Sequence, residues 1–169
     1  MSAIRAVLFV CTGNICRSST AEGVFRDLLV EAGLGDAVRA DSAGTHGYHV
    51  GEPPDSRTVA AALERGFDLS DQRARRVNAG DFTAFDLILA MDREHLSILR
   101  RMAPGDFGGD VALFLDHLPE SGMVDVPDPW YGEAEGFEVV LDLVEAGCER
   151  LVDRVRASLP EPGAPDPGR

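Results

Sequence analysis

Val7-Leu-Phe-Val-Cys11-Thr-Gly-Asn-Ile-Cys-Arg17-Ser18 runs from a short apolar stretch through a tight loop into a helical pattern. Ala6 to Val10, apolar and rich in β-branched residues, predicts a buried strand. The loop sets a cysteine and an arginine in a Cys-x5-Arg arrangement between the end of that strand and the start of a helix. A loop of this kind wraps its backbone N–H groups around a tetrahedral anion, at the end of a helix that favours negative charge. Cys11 is then placed at the bottom of a cup, with the planar fork of Arg17 on two of the anion's oxygens. The same donors favour the thiolate, which is the attacking form of cysteine. Ser18 is near enough to bond the sulfur. Gly13 is expected to let the backbone turn inward, and Asn14 to take a left-handed conformation or lock the loop with its amide. The chemistry implied is transfer of a phosphoryl group to sulfur.

The pattern further along supplies the scaffold. Ala21, Val24, Phe25, Leu28 and Leu29 predict a helix over 19–32, with Ser19 and Glu22 as a capping box and Gly33 as its stop. Val38 to Ser42 predicts a second strand that opens into a long Gly/Pro-rich loop. A helix is expected over 56–65, the clearest strand over 85–91, a helix capped by Asp92 to about 102, and a fourth strand over 111–115. The last helix carries the strongest stripe: Phe137, Val140, Leu141, Val144, Cys148, Leu151, Val152 and Val155. Strands alternating with helices imply an α/β fold with a parallel sheet and right-handed crossovers. Ligands of such sheets bind beyond the carboxyl ends of the strands, and Cys11 lies at one of them. One domain is expected over 1–159, with the Pro/Gly-rich 160–169 as a disordered tail.

Composition narrows the class. The 169 residues are 44% hydrophobic and 27% charged, as in an ordinary globular domain. The net charge of -13 argues against a nucleic-acid or anionic-membrane surface. All 16 basic residues are arginine, so a Walker-type phosphate loop and Schiff-base chemistry are excluded. Three cysteines make no disulfide framework, and no signal peptide or span of ~20 apolar residues is visible. A cytoplasmic protein without cofactor or membrane contact is expected. The four histidines do not form a convincing metal set.

Phosphoryl transfer from an ester also needs a proton donor for the leaving oxygen. Asp128, in Val126-Pro-Asp128-Pro-Trp130-Tyr131, is the best candidate, because prolines stiffen its backbone and aromatics follow that can flank an aryl group. It must carry a proton when it meets substrate, which places the expected activity optimum on the acid side of neutral.

With both segments placed, the chain resembles the low-molecular-weight protein tyrosine phosphatases of bacterial type. The likeness runs from about residue 4 to about 155 and includes Ala21-Glu22, Asp41-Ser-Ala-Gly-Thr45 and Phe85-Asp-Leu-Ile-Leu-Ala-Met-Asp92. It implies a three-layer α/β sandwich around a four-stranded parallel sheet of order 2-1-3-4. It implies Cys11 as nucleophile, Arg17 as phosphate clamp and Asp128 as general acid and then base. Thr12, Gly13, Asn14, Ile15, Cys16, Arg17 and Ser18 would form the phosphate cup, Asn14, Ser18 and Ser42 its supporting network, and Tyr48, Trp130 and Tyr131 the walls of a phosphotyrosine cleft. The implied partners are phosphotyrosine proteins and a tyrosine kinase that supplies them; no metal is implied. Ser19 stands where the family usually has proline, and Trp130 where it commonly has tyrosine. Cys16 reads either as a packed loop thiol or, on the resemblance, as a trap for oxidised Cys11 in a reversible disulfide. Cys148 reads as core, and Arg73, Arg75 and Arg76 as a solvated basic run or a dock for acidic peptides.

Three other functions compete. A thiol-dependent arsenate reductase would need further cysteines mid-chain, and residues 78 to 92 contain none. Phosphoarginine phosphatases resemble this loop but tend to carry threonine where Ile15 stands. A phosphate-sensing module would need neither the thiolate nor Asp128.

Overall fold

The alternation of side chains along β1 (Ala6–Cys11) divides that strand between two cores. Val7 and Phe9 point to one face of the sheet, Leu8 and Val10 to the other, and all four are fully buried. A strand buried on both faces reads as a continuous apolar run, which is how it appears in the sequence. The computed structural model describes residues 2–161. In it β1 pairs in parallel with β2 (Arg39–Gly44) and β3 (Leu87–Ala90), and β3 pairs with β4 (Asp110–Leu113). The sheet order is β2-β1-β3-β4, so the expected three-layer α/β architecture and strand order hold.

One layer comprises α1 (Arg17–Glu31), α2 (Ser56–Glu64) and α5 (Ala134–Ser158), which pack on Val7 and Phe9. The ring of Phe9 meets Phe25 edge-on at 5.5 Å and Phe114 at 6.2 Å. Each such buried side chain stabilises the fold by about 1.5–3 kcal/mol. The opposite layer holds α3 (Asp81–Ala84) and α4 (Arg93–Met102), where Phe82, Phe85 and Leu99 cover Leu8, Val10 and Ile88. Every residue of the predicted α5 stripe is buried, Cys148 included.

Some expectations fail at element ends. α1 begins at Arg17, earlier than predicted, because the Cys16 carbonyl already accepts from Thr20 N. The Ser19–Glu22 capping box does not form. Ser19 Oγ donates back to Cys16 O, and the Glu22 carboxylate turns inward to Ser42 Oγ and Arg26. β3 and β4 are shorter than expected; Phe114 and Leu115 leave the sheet in a 3-10 turn and pack as core. The four residues of α3 are too few to leave a period in the sequence. Of the predicted tail, Pro160 and Glu161 are exposed and without regular structure, and the remainder lies outside the described residues. Among the described residues, no helix is long and apolar enough to cross a membrane.

Sheet register positions the loop. Cys11, the last residue of β1, lies beside Gly44, the last of β2. A Cβ on Gly44 would stand 2.6 Å from Thr12 O and 3.2 Å from Asn14 N, so only glycine lets β2 end this close to the loop.

Candidate active site

The loop from Cys11 to Arg17 turns its carbonyls outward and ties them down. Cys11 O accepts from Thr45 N, Thr12 O from His46 N, and Ile15 O from Asp55 N. Cys16 O takes Thr20 N and the hydroxyls of Ser19 and Thr20. Among the described residues, the backbone N–H groups of Thr12 to Cys16 donate to no protein acceptor. Donors facing inward from a fixed frame make a site for a tetrahedral anion. The inward turn comes from Asn14, whose φ is 59°, and not from Gly13, to which the sequence reading assigned it. Gly13 serves closeness instead, since a Cβ there would lie 2.9 Å from the His49 ring. Cys11 Sγ sits 3.0 Å from Ser18 Oγ, as expected for a hydroxyl supporting the sulfur.

Arg17 is 4% exposed and held from behind. Its Nη1 donates to Asp92 Oδ2 at 2.9 Å and to the Val126 carbonyl at 3.0 Å. Among the described residues Nε makes no hydrogen bond, and Nη2 has only Asp128 Oδ2 at 3.7 Å. One edge of the fork is thus anchored, leaving the other for an anion. Asp92 does two jobs, because its Oδ1 caps α4 by accepting His95 N. Asp128 uses Oδ1 to accept Trp130 N at 3.0 Å, and turns Oδ2 toward Arg17 across the mouth of the loop. Val126 N donates to Met91 O, which fixes the start of the Asp128 loop against the end of β3.

Behind the cup, Asn14 Nδ2 donates to Ser18 Oγ and to Ser42 Oγ, each at 2.9 Å, so the three expected support residues meet. The network goes further than the sequence indicated. Ser42 Oγ donates to Glu22 Oε1, and Arg75 N donates to Asn14 Oδ1. The guanidinium of Arg75 pairs with Asp41 and, through both terminal nitrogens, with Asp81. Arg75 is therefore a strut of the loop, which corrects its reading as part of a solvated or docking run, while Arg73 and Arg76 are exposed as that reading expects.

A cleft of about 140 Å³ opens above the loop. Tyr48, Trp130 and Tyr131 line it as expected, together with Ile15 and Cys16. His49 also lines it, 5.6 Å from the Trp130 ring, and the Arg57 guanidinium lies over the same Trp130 ring at 5.4 Å. The Cys16 thiol is buried, and burial pushes its pKa up to about 12. Among the described residues, no group of three His, Cys, Asp or Glu is arranged to hold a metal ion.

The low molecular weight phosphotyrosine protein phosphatase family model matches residues 6–161. A Streptomyces coelicolor low molecular weight protein-tyrosine-phosphatase is 48% identical over 153 residues, 89% of this chain and 93% of that one. The chain belongs to the low molecular weight phosphotyrosine protein phosphatase family. It is accordingly a hydrolase of the protein-tyrosine-phosphatase class. Solved relatives share the fold closely. YfkJ from Bacillus subtilis superposes with a TM-score of 0.85 at 40% identity, covering 92% of this chain and 97% of that one. A Drosophila arginine phosphatase gives 0.83 at 30% identity, covering 88% and 96%.

Four residues of this phosphatase that touch the loop or line the cleft carried no recognisable signal for it: His49, Arg75, His95 and, beyond its capping role, Asp92; Glu22 stands one step behind, on Ser42. Glu22 carries a testable consequence. Burial raises its carboxyl to about 7, against the pull of Arg26 and the Ser42 hydroxyl. A folded-state pKa above the unfolded value near 4.5 means that the native state binds this proton more tightly. The contribution to stability is complete below about 4.5 and is lost as pH rises through about 7. Urea unfolding between about pH 5 and 8 should show a wild-type slope that Glu22→Gln flattens. An identical slope in the variant would assign the titration elsewhere.

Proposed function

We propose that this chain removes phosphate from phosphotyrosine in proteins, and from small aryl phosphates, through a cysteinyl-phosphate. The observation that carries the reading is the set of free N–H groups from Thr12 to Cys16 around Cys11, with the open edge of Arg17 and the free oxygen of Asp128 facing it. The thiolate of Cys11 attacks phosphorus while the bond to the phenolic oxygen breaks, and Asp128 gives that oxygen its proton. Charge spreads over the three equatorial oxygens, where the N–H groups and Arg17 stabilise it. In the second step Asp128 takes a proton from water, the water oxygen attacks phosphorus, and the S–P bond breaks to release inorganic phosphate and the thiolate.

Ring walls and the aliphatic side chain of Ile15 support an aryl substrate. Tyr48, Trp130, Tyr131 and Ile15 offer flat and apolar surfaces to a phenyl group. The Drosophila neighbour names the alternative, phosphoarginine, whose guanidinium would leave Ile15 without an apolar partner. Parallel assays on a phosphotyrosine peptide and a phosphoarginine peptide decide it; faster turnover of the second would replace this reading. Substrate proteins would be supplied by a tyrosine kinase. The catalytic unit is residues 1–159, and its three free cysteines suit the reducing cytoplasm.

Asp128→Asn isolates the proton donor. It is expected to lower kcat on phosphotyrosine by about 10²–10⁴-fold. With a leaving group acidic enough to depart as an anion, such as dinitrophenolate, the formation of the intermediate should slow far less. Equal losses on both substrates would remove Asp128 from the acid role.

A further inference from the structure

The first turn of α4 brings a histidine under the phosphate loop that the mechanism above does not use. His95 is 1% exposed. Its Nε2 lies 2.8 Å from Thr12 Oγ1, on the residue that follows the nucleophile. Its Nδ1 lies 3.1 Å from Asp92 Oδ1, close but not aligned for a hydrogen bond, and among the described residues no other acceptor reaches that atom. The other oxygen of Asp92 holds Arg17. One buried side chain therefore touches both ends of the loop, Thr12 directly and Arg17 through a shared carboxylate.

The charge and tautomer of the ring follow from its surroundings. Burial pushes the imidazole down to about 4; Asp92 and Asp128 pull it up, while Arg17 and His46 push it further down. The ring is thus neutral at working pH. A lone pair on Nδ1 would face the Asp92 carboxylate, so the proton belongs on Nδ1. Nε2 is then an acceptor, and the Thr12 hydroxyl donates to it. This fixes the Thr12 rotamer and with it the first peptide of the cup.

We propose that His95 is a positioning residue of the phosphate loop, holding Thr12 through Nε2 and sharing Asp92 with Arg17, so that the N–H cup and the guanidinium stay in register. The proposal deepens the phosphatase reading and rests on it. A histidine that merely filled space would be replaceable by any ring of its size.

The experiment uses the full chain with three substitutions. His95→Phe keeps a ring and loses the acceptor, Thr12→Val keeps shape and loses the hydroxyl, and His95→Gln can again reach Thr12 with a polar atom. Measured for each are kcat and KM for para-nitrophenyl phosphate, the inhibition constant of inorganic phosphate, and the melting curve. His95→Phe and Thr12→Val should each lower kcat/KM and weaken phosphate binding by about tenfold. The double variant should lose little more than either single one, since both break the same contact. His95→Gln should recover most of the loss.

Folded His95→Phe with wild-type kinetics and phosphate inhibition overturns the proposal, as do single losses that multiply in the double variant. If His95→Phe does not fold, the comparison of Thr12→Val with wild type decides by the same criteria. Wild type that binds phosphate but turns nothing over would sink the catalytic reading; the variants' phosphate affinities, measured directly, would then still test the positioning role separately.

Discussion

Cys11→Ser is expected to end turnover of para-nitrophenyl phosphate, with a fall of at least about 10³-fold, while the fold and the binding of inorganic phosphate persist. The two side chains are near in size, and the serine hydroxyl can keep the contact that Cys11 Sγ makes with Ser18 Oγ at 3.0 Å. The N–H groups of Thr12 to Cys16 and the Arg17 fork do not depend on sulfur, so the anion site remains. What is lost is the sulfur nucleophile: an alkoxide is far harder to form than a thiolate. Steady-state assays with phosphate titration measure both halves of the prediction. Turnover retained in the variant would mean that another group attacks phosphorus. A protein that binds phosphate and turns nothing over in either form would be a sensing module instead.

Arg17→Lys should cost about 10³-fold or more in kcat/KM. Lysine keeps the positive charge that Asp92 faces and can still reach one acceptor, which limits the structural damage. It cannot hold Asp92 and the Val126 carbonyl with one edge while offering two parallel donors with the other. The deficit falls on the transition state, where the equatorial oxygens carry the most charge, so kcat should drop more than phosphate affinity. A variant that lost affinity and kept kcat would show Arg17 to act in ground-state binding alone. Melting curves separate either result from loss of fold, because a guanidinium with 4% exposure also braces the Asp128 loop through Val126.

Much of the scaffold was legible because its signals are local. The apolar run at Ala6 to Val10 and the period of α5 each report one element's burial, and neither needs knowledge of a partner. Strand ends misled where packing overruled pattern. Phe114 and Leu115 look like strand, but they serve the core better by leaving the sheet to meet Phe9 and α5. Ser19 and Glu22 spell a capping box, yet the Ser42 hydroxyl and Arg26 offered the carboxylate stronger partners than a helix end. The cleft walls at Tyr48, Trp130 and Tyr131 are legible in the sequence, whereas His49 reads there only as one of four histidines that make no metal set; its place in the cleft depends on Gly13, where a Cβ would meet its ring at 2.9 Å.

By itself the chain determined the strand, the anion loop and the helix that follows, because Cys11, Asn14 and Ser18 contact one another within eight residues and Arg17 follows on the same loop. The grip on those residues was decided only by the tertiary structure. Arg17 is held by a carboxylate 75 residues away and a carbonyl 109 away, and Thr12 by an imidazole 83 away. Those groups converge because β1 lies between β2 and β3, so that the loops leaving three parallel strands crowd around one nucleophile. No local pattern encodes that convergence; it is produced when the two faces of the sheet are buried.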